Sequence, residues 1–211
     1  MTYPSVITVI ILLFAPTLGL AQSRPPKPPK ALNTLALSGE AIAVLPLTLA
    51  AADPALTRDS VYAGLRNRRE VLRWADSVIG EELQARAPEI TWVLPPRIRQ
   101  IARRNPGMLS EPDQMGQAIL RSPKLKRVPE PLRTNLRSLT SFTGGRFAMV
   151  PAALVFVRDT SGALRADLTI ALADTRTGAV EWHALTWAMG ASPDEALSAA
   201  VAAVLPLAQN P

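Results

Sequence analysis

The chain has 211 residues with no cysteine, a single histidine, and 23 basic against 17 acidic residues, a net charge of +6. The lack of cysteine excludes disulfides, thiolate metal sites, a cysteine nucleophile and a lipidated N-terminal cysteine, and the lone histidine excludes every multi-histidine metal centre. With an export signal set aside, the remainder is of ordinary size for one domain and long enough to bury a core without covalent staples.

Residues 6–14 are an unbroken apolar run, followed by Pro16 and by Gly19-Leu20-Ala21, with small residues at the −3 and −1 positions. This predicts a signal peptide over 1–21, cleaved before Gln22, although no Lys or Arg precedes the apolar run. The alternative is an uncleaved anchor, for which the run is shorter than the ~20 residues of a spanning helix. Residues 22–35 form a basic, Pro-rich linker. Within it Arg24-Pro25-Pro26-Lys27-Pro28-Pro29-Lys30 favours polyproline II and reads as a stiff tether, or else as a ligand for an aromatic groove or for anionic lipid heads. A single α/β domain is expected over 36–211.

Residues 41–49 are nearly all apolar, which suggests a central strand buried on both faces, with Pro46 at its end. The longest helical pattern covers 59–87. Val61, Leu65, Leu72, Ala75, Ile79 and Leu83 recur at helical spacing, while Asp76 and the arginines fall on the other faces. Asp59 or Ser60 is placed to cap it and Pro88 to stop it. A short strand over 91–94 ends at Pro95-Pro96. A basic helical stretch over 97–104 comes next, and Ser110 with Asp113 predicts a capping box for a short helix through Leu120. Pro131 opens a helix with Leu132, Leu136 and Leu139 on one face. One kinked strand or two short ones cover 146–157.

The clearest order lies over 164–189. Leu164, Ala166, Leu168, Ile170 and Leu172 alternate with smaller or more polar residues, the period of a half-buried strand. Asp174-Thr175-Arg176-Thr177-Gly178 then forms a turn, in which Asp174 and Arg176 read as turn-formers. The return strand over 180–188 sets Leu172 opposite Val180, Ile170 opposite Trp182 and Leu168 opposite Ala184. The opposite face, with Thr169, Glu181 and His183, is expected to be mostly wet. Ser192-Pro193-Asp194-Glu195 starts a final helix that buries Leu197, Val201, Val204 and Leu205. The expected fold is therefore α/β (α+β): a mixed sheet of about five strands with a C-terminal antiparallel hairpin, a long helix and a C-terminal helix packed on it, and a short helical insertion in the middle.

This order, with the strand Ala41-Ile42-Ala43-Val44-Leu45-Pro46-Leu47, the run Gly145-Arg146-Phe147-Ala148-Met149-Val150 after a helix, and the Asp174–Gly178 turn, resembles a group of envelope domains. These are the curli secretion lipoprotein CsgG, the N-terminal domain of TolB and the LpoB-type activators of cell-wall synthases. The resemblance implies a non-enzymatic part of an envelope assembly. The chain departs from that group in having no lipobox cysteine and no room for obvious pore-forming hairpins.

Charge is concentrated. Residues 97–137 hold ten basic and three acidic residues, a net of +7, and the remaining 13 basic and 14 acidic residues net −1. Arg97, Arg99, Arg103, Arg104, Lys124, Lys126 and Arg127 are the candidate partner-binding residues, since a basic surface concentrates anionic partners. A plain solvated surface is the competing reading. His183 with Glu181 could relay a proton, but no nucleophile or metal-ligand set is spaced to work with it, and a half-exposed strand histidine is the simpler reading. No catalytic, cofactor or metal residue is assigned. The expected function is an exported, periplasmic or secreted, non-enzymatic binding or assembly module. Its partner would be an envelope protein or an anionic cell-wall or lipid surface rather than nucleic acid. The alternatives are a hydrolase built around His183, or a structural subunit of a homo-oligomer.

Overall fold

The computed structural model describes residues 29–206. The signal expected over 1–21 and residues 22–28 of the linker lie outside them. The central strand appears where the apolar run placed it. β1 (Ala41–Val44) stops short of Pro46 and runs parallel to β3 (Thr91–Val93) on one side and β4 (Phe147–Arg158) on the other. Ile42 and Val44 face one helical layer and Ala43 the other. β2 (Ala50–Ala52) pairs with the far part of β4 and was not anticipated, because three alanines carry no alternation. A short helix, α1 (Pro54–Arg58), comes after it.

The helix expected over 59–87 is two elements. A 3-10 stretch over Ser60–Arg66 contains Tyr62 at φ −108°, ψ 22°, and α2 occupies Arg68–Arg86. Two caps explain the break. The Asp59 carboxylate accepts from the Val61 N–H, and the Asn67 side chain restarts the helix by accepting from the Glu70 N–H. Gly64 between them adds little helix preference. Val61, expected in the buried stripe, is 77 % exposed. Of the expected stripe Ala75, Ile79 and Leu83 are buried and Leu72 is half-buried, and Val71 and Val78, outside that stripe, are buried with them. β1, α2 and β3 thus form a parallel crossover unit.

Pro95 and Pro96 end β3 and open α3 (Pro95–Arg104), since proline suits the first helical turn. The capping box at Ser110 does not form. Pro112–Gln114 and Gln117–Arg121 are 3-10 turns separated by Gly116 at φ +75°; Asp113 is bound by Arg99 and the Ser110 hydroxyl by Asn135. α4 (Leu132–Thr143) buries Leu132, Leu136 and Leu139 as expected.

β4 is one strand with an irregularity between Pro151 and Ala153, and it leads into β5 (Leu164–Asp174) and β6 (Val180–Gly190). The strand order is β3-β1-β4-β5-β6, with β2 added beside β4. The hairpin register differs from expectation by two residues: Leu172 faces Trp182, Ile170 faces Ala184 and Leu168 faces Thr186. The turn is the cause. The Asp174 carboxylate accepts from the Arg176 and Thr177 N–H groups, its backbone closes on Gly178 and Ala179, and Gly178 sits at φ +74°. Arg146 holds that carboxylate, 2.5 Å away, and pulls it down to about pKa 2 against the opposing effect of burial. Val180 then pairs with Ala173, and a bulge skips Glu181. A slip of two keeps Trp182 and Ala184 on their face, but the bulge moves Val180 to the other.

α2 and α5 (Pro193–Ala202) cover one face of the sheet. Ser192 caps α5 by accepting from the Glu195 N–H, and the Glu195 carboxylate accepts from the Ala191 N–H. The other face was expected to be mostly wet. Near the turn it is not, because Ala171 and Ala173 are fully buried beneath α4 and the 109–128 insertion. An alanine there is compatible with solvent but in fact makes room for a neighbour. The far half of that face is open and apolar, with Leu185, Trp187 and Met189 exposed. At the chain's entry, the Trp182 indole N–H donates to the Lys30 carbonyl, and the buried Leu32 donates its N–H to Val204.

Gly145 opens β4 so close to β1 that a Cβ there would overlap the Ala41 carbonyl. Gly145→Ala is expected to lower stability by at least about 2 kcal/mol, the cost of forcing backbone apart in a packed core. Thermal unfolding of the variant measures it, and an unchanged midpoint contradicts the close approach.

Candidate functional site

In open α/β sheets, ligands bind in the crevice beyond the carboxyl ends of the parallel strands. Here that crevice is a cleft of about 1010 Å³ lined by α2, α3 and the segments after β1 and β3. Leu47, Leu72 and Leu94 supply apolar surface. Arg68, Arg69, Arg73, Arg99 and Arg103 supply positive charge, with Asp76, Glu81, Glu111 and Asp113 among them.

Asp76 is the anchor of this cleft. It falls one helical step from Leu72 and Ile79, so it lies on the buried face of α2, and its side chain is 4 % exposed. Helical spacing had assigned it to a polar face; a carboxylate in register with Leu72, Ile79 and Leu83 was the signal that could have found it. One of its oxygens accepts from the Leu47 N–H at 2.7 Å and the other from Arg99 at 2.7 Å. Arg99 also forks onto Asp113 through Nε at 2.8 Å and Nη2 at 2.7 Å. One guanidinium therefore joins α2, α3 and the Pro112–Gln114 turn. Burial pushes Asp76 up to about pKa 6 despite its hydrogen bonds. Asp113, less buried, is held below the usual carboxylate range by Arg99, and Arg99 is itself raised, chiefly by Asp113.

The seven candidate residues do not form one patch. Arg97, Arg99, Arg103 and Arg104 sit on α3, which packs against β1. Lys124, Lys126 and Arg127 run beside the hairpin turn, where the Lys126 carbonyl accepts from the Val180 N–H and Arg127 pairs with Ala179 and bonds the Thr177 carbonyl at 2.8 Å. Three strand spacings separate β1 from β6, about 14 Å. Arg99 is committed to Asp76 and Asp113, and Arg97 bonds Gln100. Among the described residues Arg103 alone of the seven lines the cleft without an ion-pair partner, and α2 contributes Arg69 and Arg73, which the charge count over 97–137 did not reach. Arg68 reaches the Thr48 carbonyl at 2.7 Å.

His183 Nε2 lies 3.0 Å from the Leu120 carbonyl and ties the insertion to β6. Burial lowers its pKa, and Lys126 acts in the same direction. No carboxylate or hydroxyl bonds its ring among the described residues, and it does not line the cleft. Among the described residues no three acidic or histidine side chains converge as a metal site, and no helix is long and apolar enough to cross a membrane.

The raised Asp76 pKa has a definite sign. The folded state holds the proton more tightly than the unfolded chain, so this group's contribution is full below pH 3.8 and is lost as pH rises through about 6. The loss is roughly 3 kcal/mol, at about 1.4 kcal/mol per pKa unit. Asp76→Asn removes the titrating group. Wild-type stability relative to Asp76→Asn is therefore expected to fall by that amount as pH rises from about 4 through 6, measured by urea unfolding. A pH-independent difference contradicts the burial.

No protein-family model matches the chain, and no curated protein matches its sequence. Among solved structures it is similar to a PelC dodecamer from Paraburkholderia phytofirmans (14 % identity, TM-score 0.40), covering 84 % of this chain and 91 % of that one. It is similar also to the LpoB C-terminal domain from Salmonella enterica (12 % identity, TM-score 0.38; 72 % and 84 % covered). A third likeness is to the E. coli LpoB structure determined by NMR (15 % identity, TM-score 0.35; 90 % and 84 % covered). Likenesses at these scores do not establish a family.

Proposed function

We propose that the protein is an exported, non-enzymatic binding module of the cell envelope that holds a protein or anionic polymer partner in the cleft between α2 and α3. The observation that carries this reading is the pairing of Arg69, Arg73 and Arg103, which form no ion pair within 4 Å among the described residues, with an apolar floor of Leu47, Leu72 and Leu94 in one crevice. Planar guanidinium forks recognise carboxylates and phosphates, and the apolar floor holds the body of the ligand. The Asp76–Arg99–Asp113 tie keeps the walls in place without using those three arginines. Arg97 and Arg104 on α3, and Lys124, Lys126 and Arg127 beside the hairpin, extend the positive field and speed encounter. The apolar run at residues 6–14 supports export to the periplasm or beyond, where nucleic acid is not the partner.

Charge-assisted hydrogen bonds contribute about 1.5–3 kcal/mol each. Arg69, Arg73 and Arg103 replaced together by Ala are therefore expected to reduce partner capture more than tenfold, read by crosslinking in intact cells and mass spectrometry. Lys124, Lys126 and Arg127 replaced by Ala are expected to have a smaller effect. Unchanged capture in both variants removes the basic surfaces from the mechanism.

A second reading, a subunit of a homo-oligomer, is favoured by the outer face of β6. That strand ends the sheet, and Leu185, Trp187 and Met189 are 61 %, 39 % and 43 % exposed beside its edge. Contiguous apolar surface at a sheet edge marks an interaction site. Leu185→Glu is expected to shift sedimentation toward the monomer; a wild-type chain that is already monomeric at high concentration contradicts this reading.

A further inference from the structure

The first turns of α2 sort their charges by side. Arg69, Arg73 and Asp76 line the arginine cleft, while Glu70, Val71 and Trp74, on the other side of the helix, line a second pocket of about 350 Å³ at the amino end of α5. Tyr62, Leu65 and Pro193 complete its walls, and among the described residues Glu70 and Asp194 are the only charged groups that line it. The nearby basic side chains turn elsewhere. Arg66 donates to the Thr57 carbonyl and Arg68 to the Thr48 carbonyl. Arg158 is held by Asp59 at 2.7 Å and lies over the Tyr62 ring, 5.5 Å from its centroid, without lining the pocket.

Trp74, four residues after Glu70, shares its side of the helix. It packs on the core residue Phe156, with ring centroids 6.1 Å apart, and also lines the pocket. Its indole N–H donates to Asp194 Oδ1 at 2.8 Å, which fixes the ring and sets a carboxylate at its edge. Neither Glu70 nor Asp194 forms an ion pair among the described residues. Both sit in the first turn of a helix, α2 and α5, whose positive ends offset part of their charge. Each helix end carries about half a unit charge, so two carboxylates outweigh two ends and leave roughly −1. In a chain of net charge +6 this pocket is a local excess of the opposite sign, and its complement is a cation.

We infer that the pocket binds an arginine side chain presented by an exposed segment of a partner protein, with the guanidinium against the Trp74 ring and its N–H groups shared between Glu70 and Asp194. A planar guanidinium stacks on an indole and forks onto carboxylates at once; an ammonium is a compact, strongly hydrated charge that lacks the fork. The space is at the lower end of the range for ligand pockets, which suits one long side chain entering from a main chain that passes outside, over the exposed Val61 and Gly64. This site is separate from the arginine cleft and does not rest on the reading given to it. α2 thus offers a basic contact on one side and an acidic, aromatic contact on the other.

The Trp74 indole N–H is the reporter, assigned in the spectrum of the isotope-labelled full chain by its loss in Trp74→Phe. The probes are the peptide acetyl-Gly-Arg-Gly-amide, the same peptide with citrulline in place of arginine, and spermidine. The expected result is a saturable shift with the arginine peptide, in the millimolar range of a single side chain, and none with citrulline, which keeps the shape and loses the charge. Glu70→Gln is expected to weaken arginine binding at least about threefold, and Glu70→Gln with Asp194→Asn at least about tenfold. Asn at 194 keeps an acceptor for the indole, so the ring holds its place. Equal binding of the citrulline peptide, no saturable shift up to about 10 mM arginine peptide, or unchanged binding in the double variant overturns the assignment. Spermidine binding more tightly than the arginine peptide overturns a side chain as the occupant. A Trp74 resonance that moves on dilution of the protein alone overturns a separate partner in favour of a second copy.

Discussion

The architecture depends on an inequality between the two faces of one sheet. Toward α2 and α5 the strands present Ile42, Val44, Met149, Phe156, Leu168, Ile170, Leu172 and Trp182. Toward the insertion they present Ala43, Ala148, Ala152, Ala171 and Ala173, with Val150 the main exception. Close packing requires that bulk missing on one side be supplied from the other. A row of alanines admits Leu109, Met115 and Leu120 from an insertion that is largely 3-10 turn and loop, with Ile98 of α3 and Leu132, Leu136 and Leu139 of α4 beside them. The helices α2 and α5 therefore sit over the large side chains, while α3, α4 and the irregular segment between them fill the shallow ones.

That inequality explains what was legible in the sequence. β1 comes from an unbroken apolar run, and β5, α4 and α5 from period and helix start, because each carries its own pattern. Period two marked Leu164 to Leu172 as a buried face, and Ser192 with Glu195 marked a helix start. The second face of the same strand was misjudged because Ala171 and Ala173 look the same whether they meet water or a neighbour. The register slip had a similar origin. It arises from the hydrogen bonds that Asp174 makes to Arg176, Thr177 and Gly178, and composition alone does not count the residues such a turn consumes.

The candidate site was half legible for a related reason. Counting charge along the chain found α3 and the 124–127 segment, which fall in one basic stretch of sequence but lie about three strands apart in space. It missed Arg69 and Arg73, which share the cleft with Arg103 only because the β1-α2-β3 crossover brings α2 beside α3. It also counted Arg99 as available surface charge, although its guanidinium is enclosed between two carboxylates. A charge tally does not distinguish an arginine that awaits a ligand from one that already has two.

The insertion is joined to the hairpin by main-chain contacts: Val128 N–H to Gly178, and Val180 N–H to Lys126. Peptide groups are common to every residue, so these two bonds do not depend on the side chains at 124 and 126, while Arg127 and His183 add side-chain ties to the Thr177 and Leu120 carbonyls. Lys124 and Lys126 can exchange for neutral or acidic residues with little penalty to folding. Selection is thus able to retune the electrical character of that rim for a new counterpart while the scaffold beneath it stays constant.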